Sequence, residues 1–199
     1  VTTNTGTGTF DTLTVGPGGT LGLNGSGDRT YTFGKLTIDG GTLKYVSSSD
    51  RQFTIANGTN GLGLIIGSGG ASITMNSGTV SRWITITAPI SGSGNIDRSG
   101  SGTVANILRL SGDNSGFSGN ISSSQGTLIA NHANALGDTT GSTTIEGVSG
   151  QGLSSLDLNA ASAEFFEPVT LKPTSEGVRI QATQNDITFS GPITISAGP

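Results

Sequence analysis

Phe10-Asp11-Thr12-Leu13-Thr14-Val15, followed by Gly19-Thr20-Leu21, returns as Phe33-Gly34-Lys35-Leu36-Thr37-Ile38, followed by Gly41-Thr42-Leu43. The offset is constant from the Phe10/Phe33 pair through Val15/Ile38 and shortens by one position before Gly19/Gly41. Leu13 and Val15, like Leu36 and Ile38, stand two apart with Thr between them, the alternation of a strand with one buried and one wet face. Leu64, Ile66, Gly69-Gly70 and Ile73 repeat the pattern more loosely after a longer excursion. Ile84-Thr85-Ile86 with Pro89-Ile90 finds an echo far downstream, in Ile187-Thr188-Phe189 with Pro192-Ile193. A period of roughly 20 to 30 residues made of two or three short strands predicts an all-β fold, a β-solenoid. One such coil cannot bury its own apolar residues, but stacked coils form a continuous core with like above like. Seven to eight rungs at the ordinary strand spacing give a rod of roughly 35 to 40 Å. A β-sandwich is the competing fold, and the in-register copy of Phe10–Leu21 at Phe33–Leu43 favours the solenoid.

Composition agrees. The 199 residues include 34 Gly, 6 Pro and no Cys, with 32% hydrophobic and 11% charged residues. That apolar content suffices for one folded domain spanning residues 1–199, and no window shows a sustained helical period. The net charge of −4 comes without basic clusters, which argues against a nucleic-acid partner. No stretch comes near the roughly 18 apolar residues of a spanning helix, so no membrane insertion of this segment is expected. The lack of Cys excludes disulfides and thiolate chemistry. Abundant Ser, Thr, Asn and Gly lean toward an extracellular or cell-surface setting. The start at Val1 and the end at Pro199 inside a repeat point to a segment cut from a longer secreted protein, with covalently attached flanking domains.

Residues 84–137 carry a more specific pattern. Ile84-Thr85-Ile86-Thr87-Ala88-Pro89-Ile90-Ser91-Gly92-Ser93-Gly94 is followed by Ser99-Gly100-Ser101-Gly102-Thr103. Leu108-Arg109-Leu110-Ser111-Gly112-Asp113-Asn114-Ser115-Gly116-Phe117-Ser118-Gly119, Gly126-Thr127-Leu128-Ile129-Ala130 and Asn131-His132-Ala133-Asn134-Ala135-Leu136-Gly137 complete it. This resembles the autotransporter-associated β-strand repeat of passenger domains and other large bacterial surface proteins. The insertion Val104-Ala105-Asn106-Ile107 departs from the family pattern and puts the register of one rung in question. The resemblance implies a right-handed parallel β-helix, export and non-catalytic work at the surface, and it carries no catalytic residues across.

The chain's own residues also favour binding over catalysis. Thirteen acidic residues are scattered without an adjacent pair, whereas glycan-cleaving sites need clustered carboxylates. No catalytic residue, metal site or cofactor is expected. His132, the only histidine, falls in the Asn-Ala-Leu-Gly tail, where a loop position is the plain reading. Asp113-Asn114-Ser115-Gly116 reads as a polar turn. Tyr31 and Tyr45 share parity with Phe33 and Leu43 and read as core or corner positions. Phe165-Phe166 breaks the alternation, as a bulge or as a short helical turn shielding one end of the rod. On the strand of Ile84 and Ile86, parity turns Trp83 and Thr85 outward, and on the strand of Leu108 and Leu110 Ile107 and Arg109 fall into the same columns. An exposed Trp beside Arg and hydroxyls suits stacking on a sugar ring; the other reading is a Trp covered by a loop or packed at the edge of the rod. The expected function is therefore non-catalytic binding of a polysaccharide or host or cell-surface glycan, plant cell-wall xylan among the candidates, within a larger secreted or surface protein. The alternative is a structural or adhesive passenger stalk. Ice binding would need an unbroken Thr-x-Thr column, and Arg109 and Ile65 are expected to interrupt it.

Overall fold

The computed structural model describes residues 2–3, 8–59, 61–76, 81–101 and 106–197. Among them there is no helix; parallel strands stack into a β-solenoid of about seven turns. The first face is a nine-stranded sheet. Its strands are Thr2–Thr3, Thr20–Leu23, Gly41–Tyr45, Ala71–Asn76, Ile96–Ser101, Ile121–Ser124, Thr143–Glu146, Val169–Lys172 and Ile193–Ile195. The other two faces meet in the long strand Arg29–Ile38, against which Gly8–Val15 lies in parallel. Its first half pairs with Gln52–Asn57 and its second half with Gly63–Ile66. From Gln52–Asn57 the second face continues through Arg82–Ile86, Asn106–Leu110, Gly126–Ala130, Ser154–Leu158 and Val178–Ala182. From Gly63–Ile66 the third face continues through Ile90–Gly92 and Gly116–Phe117. Glu164–Phe165 and Thr188–Phe189 pair with each other at the equivalent point of the last two coils.

The register is the one the repeat predicts. Phe10 lies beside Phe33, Leu13 beside Leu36, Val15 beside Ile38 and Leu21 beside Leu43. Leu64, Ile66 and Ile73 then follow Leu36, Ile38 and Leu43. The departure at Val104–Ile107 leaves the ladder intact, since Ile107 lies beside Trp83 and Leu108 beside Ile84; Val104 and Ala105 lie outside the described residues. The echo between 84–90 and 187–193 is a different matter. Ile84 belongs to the second face, whereas Thr188 pairs with Glu164 and Ile193 with Val169 on the first face. The similarity is one of local strand-and-corner chemistry, and it does not mark equivalent positions in the coil.

Inward columns build the core by stacking like on like. On the second face Phe53, Ile84, Leu108, Leu128, Leu156 and Ile180 succeed one another. Toward the N-terminal coils the interior is aromatic: Phe10 stacks on Phe33 with centroids 5.1 Å apart, and Phe53 meets Tyr45 at 4.8 Å and Tyr31 at 6.1 Å. Tyr31 and Tyr45 are buried, as parity predicts. Phe165 also points inward while Phe166 is 54% exposed. The pair sits at a strand end with the next coil stacked on it, so neither a helical turn nor an end cover forms there.

One column is broken by charge. Leu21, Leu43 and Ile73 are followed by Arg98 and Ser123 before Ile145 and Leu171 resume. Arg98 is only 1% exposed; it donates to the Ser124 carbonyl at 3.1 Å and to the Asn106 carbonyl at 2.6 Å. Burial lowers its pKa to about 9. Ser123 next in the column is small enough to leave room for the long side chain. Gly126 does the same from the next coil: a Cβ there would fall 2.8 Å from Arg98 Nη2, on a backbone with φ of +76°.

The corners are tied by side-chain amides. Asn131 donates to Ser111, Asn159 to Asn131, and Thr183 and Gln184 to Asn159, a ladder running parallel to the coil axis. Asn114, in the turn read from sequence, is buried and spans three coils. Its Oδ1 accepts from the Ile90 N–H at 2.7 Å, and its Nδ2 donates to the Ala135 carbonyl at 2.6 Å. Asn114→Ala strands both groups in the interior and is expected to cost about 2–4 kcal/mol. Asp113→Ala, which alters only an exposed partner, is expected to cost less than about 1 kcal/mol. Urea unfolding of the two variants against the parent chain checks the contrast.

Candidate functional site

Trp83 is the second residue of the strand Arg82–Ile86, and the ladder sets it in an outward column with Gln52, Ile107, Thr127, Ser155 and Arg179. The neighbouring column holds Thr54, Thr85, Arg109, Ile129, Asp157 and Gln181. Ile65 is absent from it and lies on the third face between Thr37 and Ser91. Arg109 is therefore the residue that ends the Thr run from Thr30 through Thr54 to Thr85.

The four residues expected from sequence are brought together, but they are not equally available. Trp83, Ile107 and Arg109 are half-buried, and the Arg109 guanidinium carbon lies over the indole, 5.4 Å from its centroid. This is within the range of a cation–π contact. Thr85, between Thr54 and Arg109 and two residues along the strand from Trp83, is left only 5% exposed, and its hydroxyl has no partner. It belongs to the wall under the site. Arg82 points the other way, its guanidinium carbon 5.1 Å from the Tyr45 ring centroid.

Trp83 lines an open cleft of about 300 Å³ with Asp28, Asp50, Arg51 and Gln52. These partners come from the turn before the strand Arg29–Ile38 and from the segment entering Gln52–Asn57. The two segments are clipped together. Ser47 donates to the Gly25 carbonyl at 3.0 Å, Arg51 Nε to the Ser26 carbonyl at 2.9 Å, and the Gln52 N–H to Asp28 Oδ1 at 2.9 Å. Buried Tyr45 anchors the same segment from beneath, donating to the Ser49 carbonyl at 2.7 Å and accepting from the Arg51 N–H at 3.1 Å. Desolvation raises the pKa of this phenol, so it stays a neutral donor and acceptor. The result is an aromatic wall beside two carboxylates, a guanidinium and an amide. That set can stack on an apolar ring face and exchange hydrogen bonds with hydroxyls. Asn24, Ser26, Arg29, Ser47, Ser48 and Ser49 help to line a larger, shallow hollow of about 470 Å³ built from the same two segments.

Asp28, Asp50, Arg51 and Gln52 escape a reading of the sequence because the coil that joins them to Trp83 is long. Gln52 and Trp83 are register partners, yet their separation along the chain well exceeds that of Phe10 and Phe33, which sets the early repeat. The motif residues flagged elsewhere have local structural roles. His132 lies in the turn after Gly126–Ala130, where its Nδ1 accepts from the Asn134 N–H at 3.1 Å. Asp113 accepts from the Ser115 N–H and from Asn134 Nδ2.

A second recess, of about 220 Å³, opens at the corner between the third and first faces. Leu136, Asp138, Phe165, Phe166 and Glu167 help to line it. Glu167 is 3% exposed and accepts from the Thr143 hydroxyl at 3.0 Å. Burial pushes its pKa up to about 8, Asp138 adds to the rise, and the Thr143 hydrogen bond opposes it. The folded chain therefore keeps a proton that the unfolded chain releases between its ordinary value of 4.5 and about 8. Stability from this group is full below that window, falls as pH rises through it, and levels off above. Glu167→Gln is expected to flatten this slope, as read by urea midpoints between about pH 5 and 8.5.

Comparison of the chain with protein-family models, with curated proteins and with solved structures finds no match.

Proposed function

We propose that this solenoid is a non-catalytic extracellular module that binds polysaccharide as part of a larger secreted or cell-surface protein. The observation that carries the reading is the cleft at Trp83. It joins the sole indole of the chain to Asp28, Asp50, Arg51 and Gln52 on loops fixed by hydrogen bonds to each other and to the Tyr45 hydroxyl. A pyranose or furanose ring offers an apolar face to the indole and hydroxyls to the carboxylates, which act as acceptors. An open cleft on the side of a rod suits an internal stretch of a polymer, since neither chain end needs to be enclosed. Arg51 in the cleft and Arg109 over the indole balance the two carboxylates, so the cleft carries no net charge to draw in a polyuronate, and neutral chains such as xylan backbone, β-glucan or mannan are favoured.

The second reading, a passenger stalk, has its own support on the first face. Thr20, Thr42, Ser72, Asp97, Ser122, Thr144, Thr170 and Thr194 form one outward column. A hydroxyl surface without aromatics suits a spacer that stays soluble and engages nothing tightly.

Trp83 fluorescence during titration with xylan, β-glucan, mannan and pectin separates the two. The module reading expects a saturable shift with a neutral glycan and none with pectin. Silence across the panel rejects it in favour of the stalk. By calorimetry, Trp83→Ala is expected to abolish glycan binding while costing less than about 2 kcal/mol of stability, because the ring is only half-buried. Asp50→Asn is expected to weaken binding about 5- to 30-fold by removing a charged acceptor.

A further inference from the structure

We infer that the recess at Phe166 and Glu167 binds an alkylammonium group, the side chain of a partner protein's lysine being the form that fits it. This site is separate from the Trp83 cleft and does not rest on the glycan reading. Three features carry it. Glu167 lines the recess while only 3% exposed, and its Oε2 has no hydrogen-bond partner although Oε1 is engaged by Thr143. A buried carboxyl oxygen left bare is costly unless a donor reaches it. Leu136, Phe165 and Phe166 supply apolar wall for a four-carbon stem, and Phe166 presents an aromatic ring at the surface, suited to a cation.

Charge points the same way. Asp138 lines the recess and acts on Glu167. Asp113 lies just behind its wall, accepting from Asn134 Nδ2 at 3.0 Å. Glu164, next along the strand, accepts from the Ser190 hydroxyl. His132 is on the Asn134 turn and accepts from its N–H. No Lys or Arg lines the recess among the described residues. Nor do three metal-ligating side chains gather anywhere among them, so an organic cation fits better than a metal ion.

Binding would then be coupled to ionisation. Oε2 is closed to solvent in the free chain, so the recess opens as the ammonium group enters; the Glu167 carboxyl gives its proton to solvent, leaving a carboxylate–ammonium pair. With the carboxyl titrating near 8, the ionised fraction rises about fifty-fold between pH 6 and pH 8, and affinity rises with it.

The test uses Nα-acetyl-lysine methylamide as probe, followed by calorimetry and by NMR shifts of the intact chain. Norleucine methylamide, acetylated likewise, is the uncharged control and glucosamine the amino-sugar control. The expected result is saturable binding of the lysine probe, tighter by about fifty-fold at pH 8 than at pH 6, with about one proton released per probe at pH 6 and about half a proton at pH 8, read in buffers of different ionisation enthalpy. Glu167→Gln should keep the fold and lose the pH dependence together with at least ten-fold in affinity. Phe166→Ala, at an exposed ring, should weaken the probe several-fold without touching stability. Equal binding of norleucine, binding independent of pH, or an unaltered Glu167→Gln overturns the proposal. Preference for glucosamine over the lysine probe overturns the assignment to lysine.

Discussion

Everything in this molecule hangs on the parallel backbone ladder from coil to coil. Each hydrogen bond of that ladder lies along the stacking direction, so it fixes which residue stands above which. A residue's surroundings are then mostly set by the same position one coil earlier and one coil later. Apolar columns such as Phe53-Ile84-Leu108-Leu128-Leu156-Ile180 follow from that constraint, and so do the amide ladders at the corners. A one-residue slip would turn each column inside out, which is why insertions are confined to corners. The coil from Phe53 to Ile84 is half as long again as the coil from Leu108 to Leu128, yet both keep the same face inward.

The constraint also explains how a buried guanidinium is tolerated. Arg98 occupies a place held by Ile73 one coil before and Ser123 one coil after. The space for its length comes from Ser123 and Gly126, and its charge is solvated by the carbonyls of Ser124 and Asn106 in place of a carboxylate. Backbone carbonyls at a corner thus stand in for water. Glu167 is the converse case. It has one hydroxyl for company, and it answers burial by holding its proton.

Much of this architecture is readable from the sequence because the repeat is written in residues whose burial alternates. Phe10–Leu21 against Phe33–Leu43 gives the register of the early coils directly, and Trp83, Ile107 and Arg109 fall where parity puts them. What escapes is whatever depends on coil length or on lateral reach. Asp28 and Asp50 meet Trp83 only after a long coil is closed. Thr85 is covered because Arg109 beside it in the column and Trp83 two residues before it on the strand are larger, which parity alone does not reveal. The echo at Ile187–Ile193 misleads for a related reason: a strand–Pro–strand phrase recurs at any corner, whichever faces that corner joins. Glu167 gives no sequence signal at all, since an acid before Pro at a turn ordinarily faces water.

The direction of the hydrogen bonds has a mechanical corollary. Because the ladder runs along the axis, a pull on the two ends loads successive coils in series, each asked to bear the whole tension. Such a structure yields by peeling, one coil after another, and does not shear as a unit. Coils cross-tied by Asn114, which joins three of them through the Ile90 N–H and the Ala135 carbonyl, let go later than coils held by the ladder alone. Under tension the rod therefore behaves as a graded tether that lengthens in steps, the extension of each step set by the number of residues in the coil released.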